Sequence, residues 1–153
     1  HFDMVRVGIG LHGIGAEANE TAELLPVASL RTPIAQLKNL SAGDTVGYNR
    51  RGTITGDRVI ATLPIGYADG FSRRLGNGVG RVWVNGKAAP LIGNVCMDMC
   101  MVDVTGITCG VGDLAVVFDA AHPVSEVARD MGTIPYEVLT GISQRVKRVY
   151  VQG

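Results

Sequence analysis

The Asn85-Gly86 pair restricts this chain more than any other feature. It lies between two apolar runs, Arg81 to Val84 and Lys87 to Ile92. Two residues between such runs close a tight hairpin, and both need positive φ, which Asn and Gly tolerate. The pattern predicts an antiparallel pair over 81–92. Twenty-one glycines among 153 residues, with aromatics at 5%, point the same way: many tight turns, short connections and a β-rich fold.

Further strands are expected along the chain. Residues 4–11 form a short apolar run that reads as a buried strand or the start of one. Residues 14–24 are polar and read as a loop or one weak helical turn. Pro33 breaks the mixed run 27–37 into an edge or interrupted strand. A turn at 41–44 precedes a strand beginning over 45–48, and 58–65 is strand-like. In 95–104, Val95, Met97, Met99 and Met101 alternate with Cys96, Asp98, Cys100 and Val102, which predicts one long strand with the two sets on opposite faces. Leu114 to Phe118 reads as another strand, and 145–151 as a closing one. Two short helices are expected near the C-terminus, over 124–131 and 135–142, the second with Pro135 in its first turn.

Composition narrows the function classes. Formal net charge is zero, so nothing suggests a nucleic-acid footprint. The basic clusters Arg50-Arg51, Arg73-Arg74 and Arg145 with Lys147 and Arg148 read as solvated surface. Three cysteines do not describe a disulfide framework, and reduced thiols suit a cytosolic protein. No apolar run approaches the roughly 20 residues a membrane helix needs. The chain opens on His1 without a signal-peptide pattern, and it reads as an internal piece of a longer protein.

Three segments can carry chemistry. Leu63-Pro64-Ile65-Gly66-Tyr67-Ala68-Asp69-Gly70 reads as a strand running into a turn, with Tyr67 flanked by small residues. A structural tyrosine is the ordinary reading, since a phenol acts as a base only where something stabilises phenolate. Gly93 to Cys100 contains a Cys-x3-Cys spacing, but no further Cys or His stands near to complete a metal site, so no metal is expected. Asp98 is unusual in an apolar run, because a buried carboxylate needs partners. Arg6-Val7-Gly8-Ile9-Gly10 has a weak phosphate signal that lacks the rest of the dinucleotide fingerprint.

Together and in this order, Val5 to Ile9, Leu63 to Gly70 and Gly93 to Asp98 resemble the alanine racemase family, along nearly the whole chain. The resemblance implies a pyridoxal 5'-phosphate enzyme built from a (β/α)8 barrel and a mainly β, antiparallel, barrel-like C-terminal domain. Residues 1–13 then match the end of the last barrel strand and 14–153 the β domain. The family works as a head-to-tail homodimer, with sites between one subunit's barrel and the partner's β domain. Carried over by position, Tyr67 is the base toward L-alanine. Met97 offers its backbone N–H to the substrate carboxylate, with Asp98 beside it. Arg6 hydrogen-bonds the cofactor pyridine nitrogen, and Gly8 and Ile9 offer backbone N–H groups to the cofactor phosphate. The resemblance also implies L- and D-alanine as substrates, peptidoglycan precursor synthesis and a cytoplasmic location, with neither nucleic-acid nor membrane partners.

The family's Schiff-base lysine belongs to the barrel, and Lys38, Lys87 and Lys147 do not match its context. The isolated chain is therefore expected to be inactive, and its barrel-facing surface to self-associate. In the segment 141–146 the family usually has a tyrosine that touches the cofactor phosphate and narrows the access channel; here Gln144 stands in its place. An amide is shorter and not aromatic. His12 also replaces a frequent tyrosine, a combination similar to racemases fused to a cell-wall precursor ligase. Two alternatives stay open: a racemase of serine or a broader set of amino acids, and a non-catalytic dimerisation or binding module.

Overall fold

The computed structural model describes residues 3–151. In chain order its regular elements are α1 (Ala18–Ala22), β1 (Leu30–Pro33), β2 (Gln36–Leu40), β3 (Thr45–Val46), β4 (Gly52–Thr53), β5 (Arg58–Leu63), β6 (Arg81–Val84), β7 (Lys87–Pro90), β8 (Cys100–Asp103), β9 (Leu114–Phe118), α2 (Val124–Met131) and α3 (Pro135–Gly141). Short 3-10 turns cover Ile9–His12, Tyr48–Arg50, Tyr67–Asp69 and Arg73–Leu75.

All strand pairs are antiparallel. They form one sheet in the order β1-β9-β6-β7, another in the order β2-β5-β8, and the small pair β3-β4. The two larger sheets join on both sides. On one side β1 runs straight on towards β2: the Ile34 N–H donates to the Asp113 carbonyl at 2.8 Å and the Ala35 N–H to the Thr62 carbonyl at 2.9 Å. On the other, Leu91 bridges Val102 just beyond β7, and the Ile92 N–H reaches the Met101 carbonyl at 2.9 Å. The result is barrel-like, which leaves few open strand edges.

The core follows from strand alternation. Val82 and Val84 of β6, Ala115 and Val117 of β9, and Leu63 of β5 point inward and are buried. The hairpin at 85–86 forms as the sequence requires, with φ of 48° at Asn85 and 75° at Gly86. Pro33 ends β1, whose only strand neighbour among the described residues is β9, so its missing N–H breaks no second ladder. α2 buries Val124, Ala128 and Met131, one stripe at helical spacing. α3 carries Pro135 in its first turn and buries Val138.

Three expectations fail. Residues 4–8 belong to no strand, and Met4, Val5 and Val7 are exposed; a strand needs a pairing partner, and no described residue supplies one. The long strand over 95–104 shrinks to β8. Val95 and Cys96 are both buried while Met97 and Met99 are exposed, which breaks the alternation. The cause is a turn in which the Cys96 N–H donates to the Met99 carbonyl at 2.9 Å. The closing strand over 145–151 is absent. There the Arg148 guanidinium donates instead to the carbonyls of Ile142, Ser143 and Val146, while Val149, Tyr150 and Val151 face solvent.

Candidate active site

β5 drives its chain into the core as far as Ile65 and then turns sharply at Gly66. A Cβ on Gly66 would collide with the backbone of Cys96 and Met97, so only glycine allows the two segments to touch. The contact is made by hydrogen bonds: the Tyr67 N–H donates to the Cys96 carbonyl and the Ala68 N–H to the Met97 carbonyl, each at 3.0 Å. The Asp69 carboxylate accepts the Gly66 N–H at 2.8 Å and closes the turn. These bonds hold Tyr67 beside Met97 and Asp98.

An open cleft of about 480 Å³ lies over this junction. Tyr67, Met97 and Asp98 line it, joined by Tyr48, Arg73 and Asn94. Tyr48 follows β3 and leads into Asn49 and Arg50, both at positive φ (58° and 52°), a conformation costly for residues with side chains. The Asn94 side-chain amide donates to the Tyr48 carbonyl at 3.4 Å. The Tyr48 side is 73% exposed against 42% for Tyr67. Among the described residues no acceptor takes the Met97 N–H, so this donor is left free.

A charged tie braces the cleft. The Arg145 guanidinium donates through Nε to Asp69 at 2.7 Å and through Nη2 to Asp98 at 2.5 Å. The Ser143 N–H also donates to the Asp69 carbonyl at 3.0 Å. Partial burial alone would raise the Asp69 pKa, but the Arg145 bond, the Gly66 N–H and the Arg145 charge outweigh it and hold this carboxyl below its ordinary value of 3.8. The two carboxylates in turn push the Arg145 guanidinium further up. Asp98 is thus paired, though exposed rather than buried in a strand. The basic tail is not only solvated surface: Arg145 and Arg148 are both engaged, and Arg73 lines the cleft.

The other candidates lie elsewhere. None of Arg6, Gly8, Ile9 and Gln144 lines this cleft. Arg6 is exposed on the N-terminal segment, as is His12. Ile9 is buried, and its N–H donates to the Tyr136 hydroxyl of α3 at 3.0 Å. A Cβ on Gly8 would lie 2.6 Å from that same hydroxyl oxygen. Gln144 is exposed next to Arg145.

A family model for the C-terminal domain of alanine racemase matches residues 27–150. The chain belongs to the alanine racemase C-terminal domain family. It is similar to alanine racemase 1 of Clostridium acetobutylicum, 40% identical over 162 residues that cover 100% of this chain and 42% of that protein. Among solved structures, the alanine racemase of Streptomyces coelicolor superposes with a TM-score of 0.91 at 35% identity, covering 100% of this chain and 42% of that one. The alanine racemase of Bartonella henselae, solved with covalently bound pyridoxal phosphate, gives a TM-score of 0.86 at 34% identity, covering 94% and 40%. The racemase domain described here thus spans about 42% of the relatives it matches over its full length.

Sequence reasoning missed several residues of this racemase domain. Tyr48 and Arg73 reach the cleft, and Tyr136 reaches Ile9. Gly47 before Tyr48, with Asn49 behind it, was the local sign of a special backbone; nothing local marks Tyr136, whose partner lies 127 residues away. Of the thiols, Cys100 is kept neutral: burial, with Cys96 beside it, pushes it up to about 12. Among the described residues no three His, Cys, Asp or Glu side chains cluster as a metal site would require. Among the described residues no helix is long and apolar enough to cross a membrane. The donors around Gly8 do fit a pyridoxal phosphate group: a backbone N–H and a phenol converge where no side chain has room, a set suited to a phosphate oxygen.

Proposed function

We propose that this domain completes the active site of a pyridoxal phosphate-dependent alanine racemase, interconverting L- and D-alanine for peptidoglycan precursor synthesis in the cytoplasm. It would act in a head-to-tail homodimer, presenting its cleft to the barrel of the partner subunit. The observation that carries this reading is the cleft itself, where phenols stand beside the free N–H of Met97.

Pyridoxal phosphate, when bound, supplies the electron sink that makes the α-hydrogen of the amino acid acidic. The rest falls to protein groups. The Met97 N–H orients the substrate carboxylate. A tyrosine hydroxyl takes or returns the α-proton on one face of the substrate, while a lysine of the barrel serves the other face, because racemisation needs a group on each side. Arg6, always protonated, hydrogen-bonds the pyridine nitrogen without giving it a proton. The N–H groups of Gly8 and Ile9 hold the phosphate, and Gln144 stands at the channel where a shorter side chain leaves more width for substrates larger than alanine. By itself the chain, with neither barrel nor Schiff-base lysine, would have no turnover; residues 1–13 would join the last barrel strand only in the intact enzyme, and 14–153 would form the β domain.

The family resemblance assigns the base to Tyr67. Tyr48 is a second reading, favoured by its greater exposure on the same cleft and by the strained backbone beside it. The test is α-deuterium exchange in heavy water, from L- and D-alanine separately, in the full-length protein and its Tyr67→Phe and Tyr48→Phe variants. Loss of exchange mainly from L-alanine identifies the base as the residue substituted. Exchange that persists unchanged in both variants rejects a phenol base and leaves the domain a structural or binding role.

A further inference from the structure

The tail beyond α3 carries one side chain that reaches both segments of the cleft. Ile142 and Val146 pack half-buried against the core. The Ser143 N–H donates to the Asp69 carbonyl at 3.0 Å, and the Arg148 guanidinium donates to the carbonyls of Ile142, Ser143 and Val146. The backbone of Arg145 is held between these anchors. Its guanidinium leaves as a fork, Nε to Asp69 Oδ1 at 2.7 Å and Nη2 to Asp98 Oδ1 at 2.5 Å. The other Asp69 oxygen, Oδ2, accepts the Gly66 N–H at 2.8 Å. A continuous run of bonds thus leads from the turn that carries Tyr67, through one guanidinium, to the loop that carries Met97.

We propose that Arg145 is a positioning residue for the substrate carboxylate, one that fixes the direction in which the Met97 N–H faces the cleft. The inference rests on the racemase reading above and says what holds one of its groups in place. Among the described residues no peptide bond is cis, so the N–H of the Cys96–Met97 peptide points opposite to its C=O. That carbonyl accepts the Tyr67 N–H, which turns the Met97 N–H away from the Tyr67 backbone. The Ala68 N–H pins the next carbonyl, that of Met97, in the same way. Two neighbouring bonds along one edge still let a loop tilt about that edge. The Asp98 carboxylate, one residue on, is the handle that stops the tilt, and among the described residues Arg145 is its one side-chain partner. Asp98 and Arg145 are each about half exposed, so their pairing adds little stability in water; its effect is on direction. The planar guanidinium carries donors in a rigid fork and spans two carboxylates at a set separation, which the single point charge of a lysine does not.

The test separates the carboxylate from the rest of the substrate. Full-length protein, as wild type, Arg145→Lys and Arg145→Ala, is titrated by calorimetry with propionate, which is alanine without its amine, and with ethylamine, which is alanine without its carboxylate. KM and kcat for L-alanine are measured alongside, and thermal unfolding checks that the fold is intact. Because a small misplacement of a binding group is costly, propionate affinity should fall and KM should rise by about tenfold in both variants. Ethylamine binding should not change, and kcat should stay within about twofold, since the Met97 N–H holds the carboxylate equally before and during proton transfer. Propionate affinity within about twofold of wild type in either variant overturns the proposal. So does an equal loss for propionate and ethylamine, which would make Arg145 purely structural, and so does a fall in kcat with KM unchanged. If the wild-type protein neither turns over L-alanine nor binds propionate, the racemase reading itself falls and takes this inference with it; a wild type that does both, beside indifferent variants, removes the inference alone.

Discussion

Replacing Gly66 by alanine tests how the cleft is held together. Gly66 has φ of −147°, an extended conformation open to any residue, so alanine meets no backbone strain there. The cost is steric. The new Cβ would lie 2.5 Å from the Met97 carbonyl carbon, whereas carbon atoms in contact stand roughly 3.5–4.0 Å apart. The turn and the 96–98 loop must therefore separate by about 1 Å. Both are backbone, so neither can rotate aside. A separation of that size stretches the bonds from Tyr67 to Cys96 and from Ala68 to Met97, now 3.0 Å each, beyond useful length. Two lost hydrogen bonds at about 1 kcal/mol each, with the strain of an overfilled site at roughly 1–3 kcal/mol, predict a destabilisation of about 3–5 kcal/mol. For a chain of this size each kcal/mol lowers Tm by roughly 2–4 °C, so a fall of about 6–20 °C is expected. Urea unfolding followed by the fluorescence of Trp83, the single tryptophan, measures it. Gly141→Ala is the control: its Cβ meets nothing within 4 Å and it lies in the last turn of α3, so it should be neutral or stabilising by up to about 1 kcal/mol. A Gly66→Ala chain within about 0.5 kcal/mol of wild type would show that the loop contact yields freely and that the cleft is not fixed by it.

Three shorter predictions follow from the same structure. Because the folded pKa of Asp69 lies below its value of 3.8 in the free chain, its contribution to stability is present above that value and disappears as pH falls through the folded pKa; acid titration of unfolding free energy should therefore show a loss beginning near pH 4 that is smaller in Asp69→Asn. Leu63→Ala removes a fully buried side chain from the centre of the core and should cost roughly 2.5–5 kcal/mol in denaturant unfolding, with a value under 1 kcal/mol contradicting its placement. Cys100, buried and held as the neutral thiol, should resist iodoacetamide in the native chain and react only at the rate of global unfolding, as read by mass spectrometry.

What the sequence made legible was local. The hairpin at 85–86 depends on two residues whose backbone preferences decide the turn, and β9, α2 and α3 each carry their own period. The barrel-like sequence of pairings was not legible in this way, since β1 meets β9 across eighty residues of chain. The loop 95–99 misled for a definable reason: its residues alternate as a strand does, but its carbonyls are claimed by the Tyr67 turn, a contact no local window contains. The tail likewise alternates without any strand to pair with. The site residues were named in the sequence by family motif, but which of them share a cleft was not. Tyr67, Met97 and Asp98 meet; Gly8 and Ile9 lie against α3 instead, and Arg6 is exposed.

The cleft owes its shape to this division. Tyr48 follows β3, Tyr67 follows β5, and Met97 and Asp98 precede β8, so every group stands just outside a strand. Side chains inside the strands are committed to the core, and their exchange would cost packing. The loops are free to present polar groups, but three separate loops have no intrinsic relation to one another. That relation comes from two kinds of tie: backbone bonds made possible by Gly66, and the fork of Arg145, which holds the carboxylates of the Tyr67 turn and the Met97 loop at once. A lysine offers one point charge where the guanidinium offers two directed donors. The position of the phenol relative to the Met97 N–H is therefore set by a residue that touches neither, and the tail that brings Arg145 there is as much part of the site as the strands beneath it.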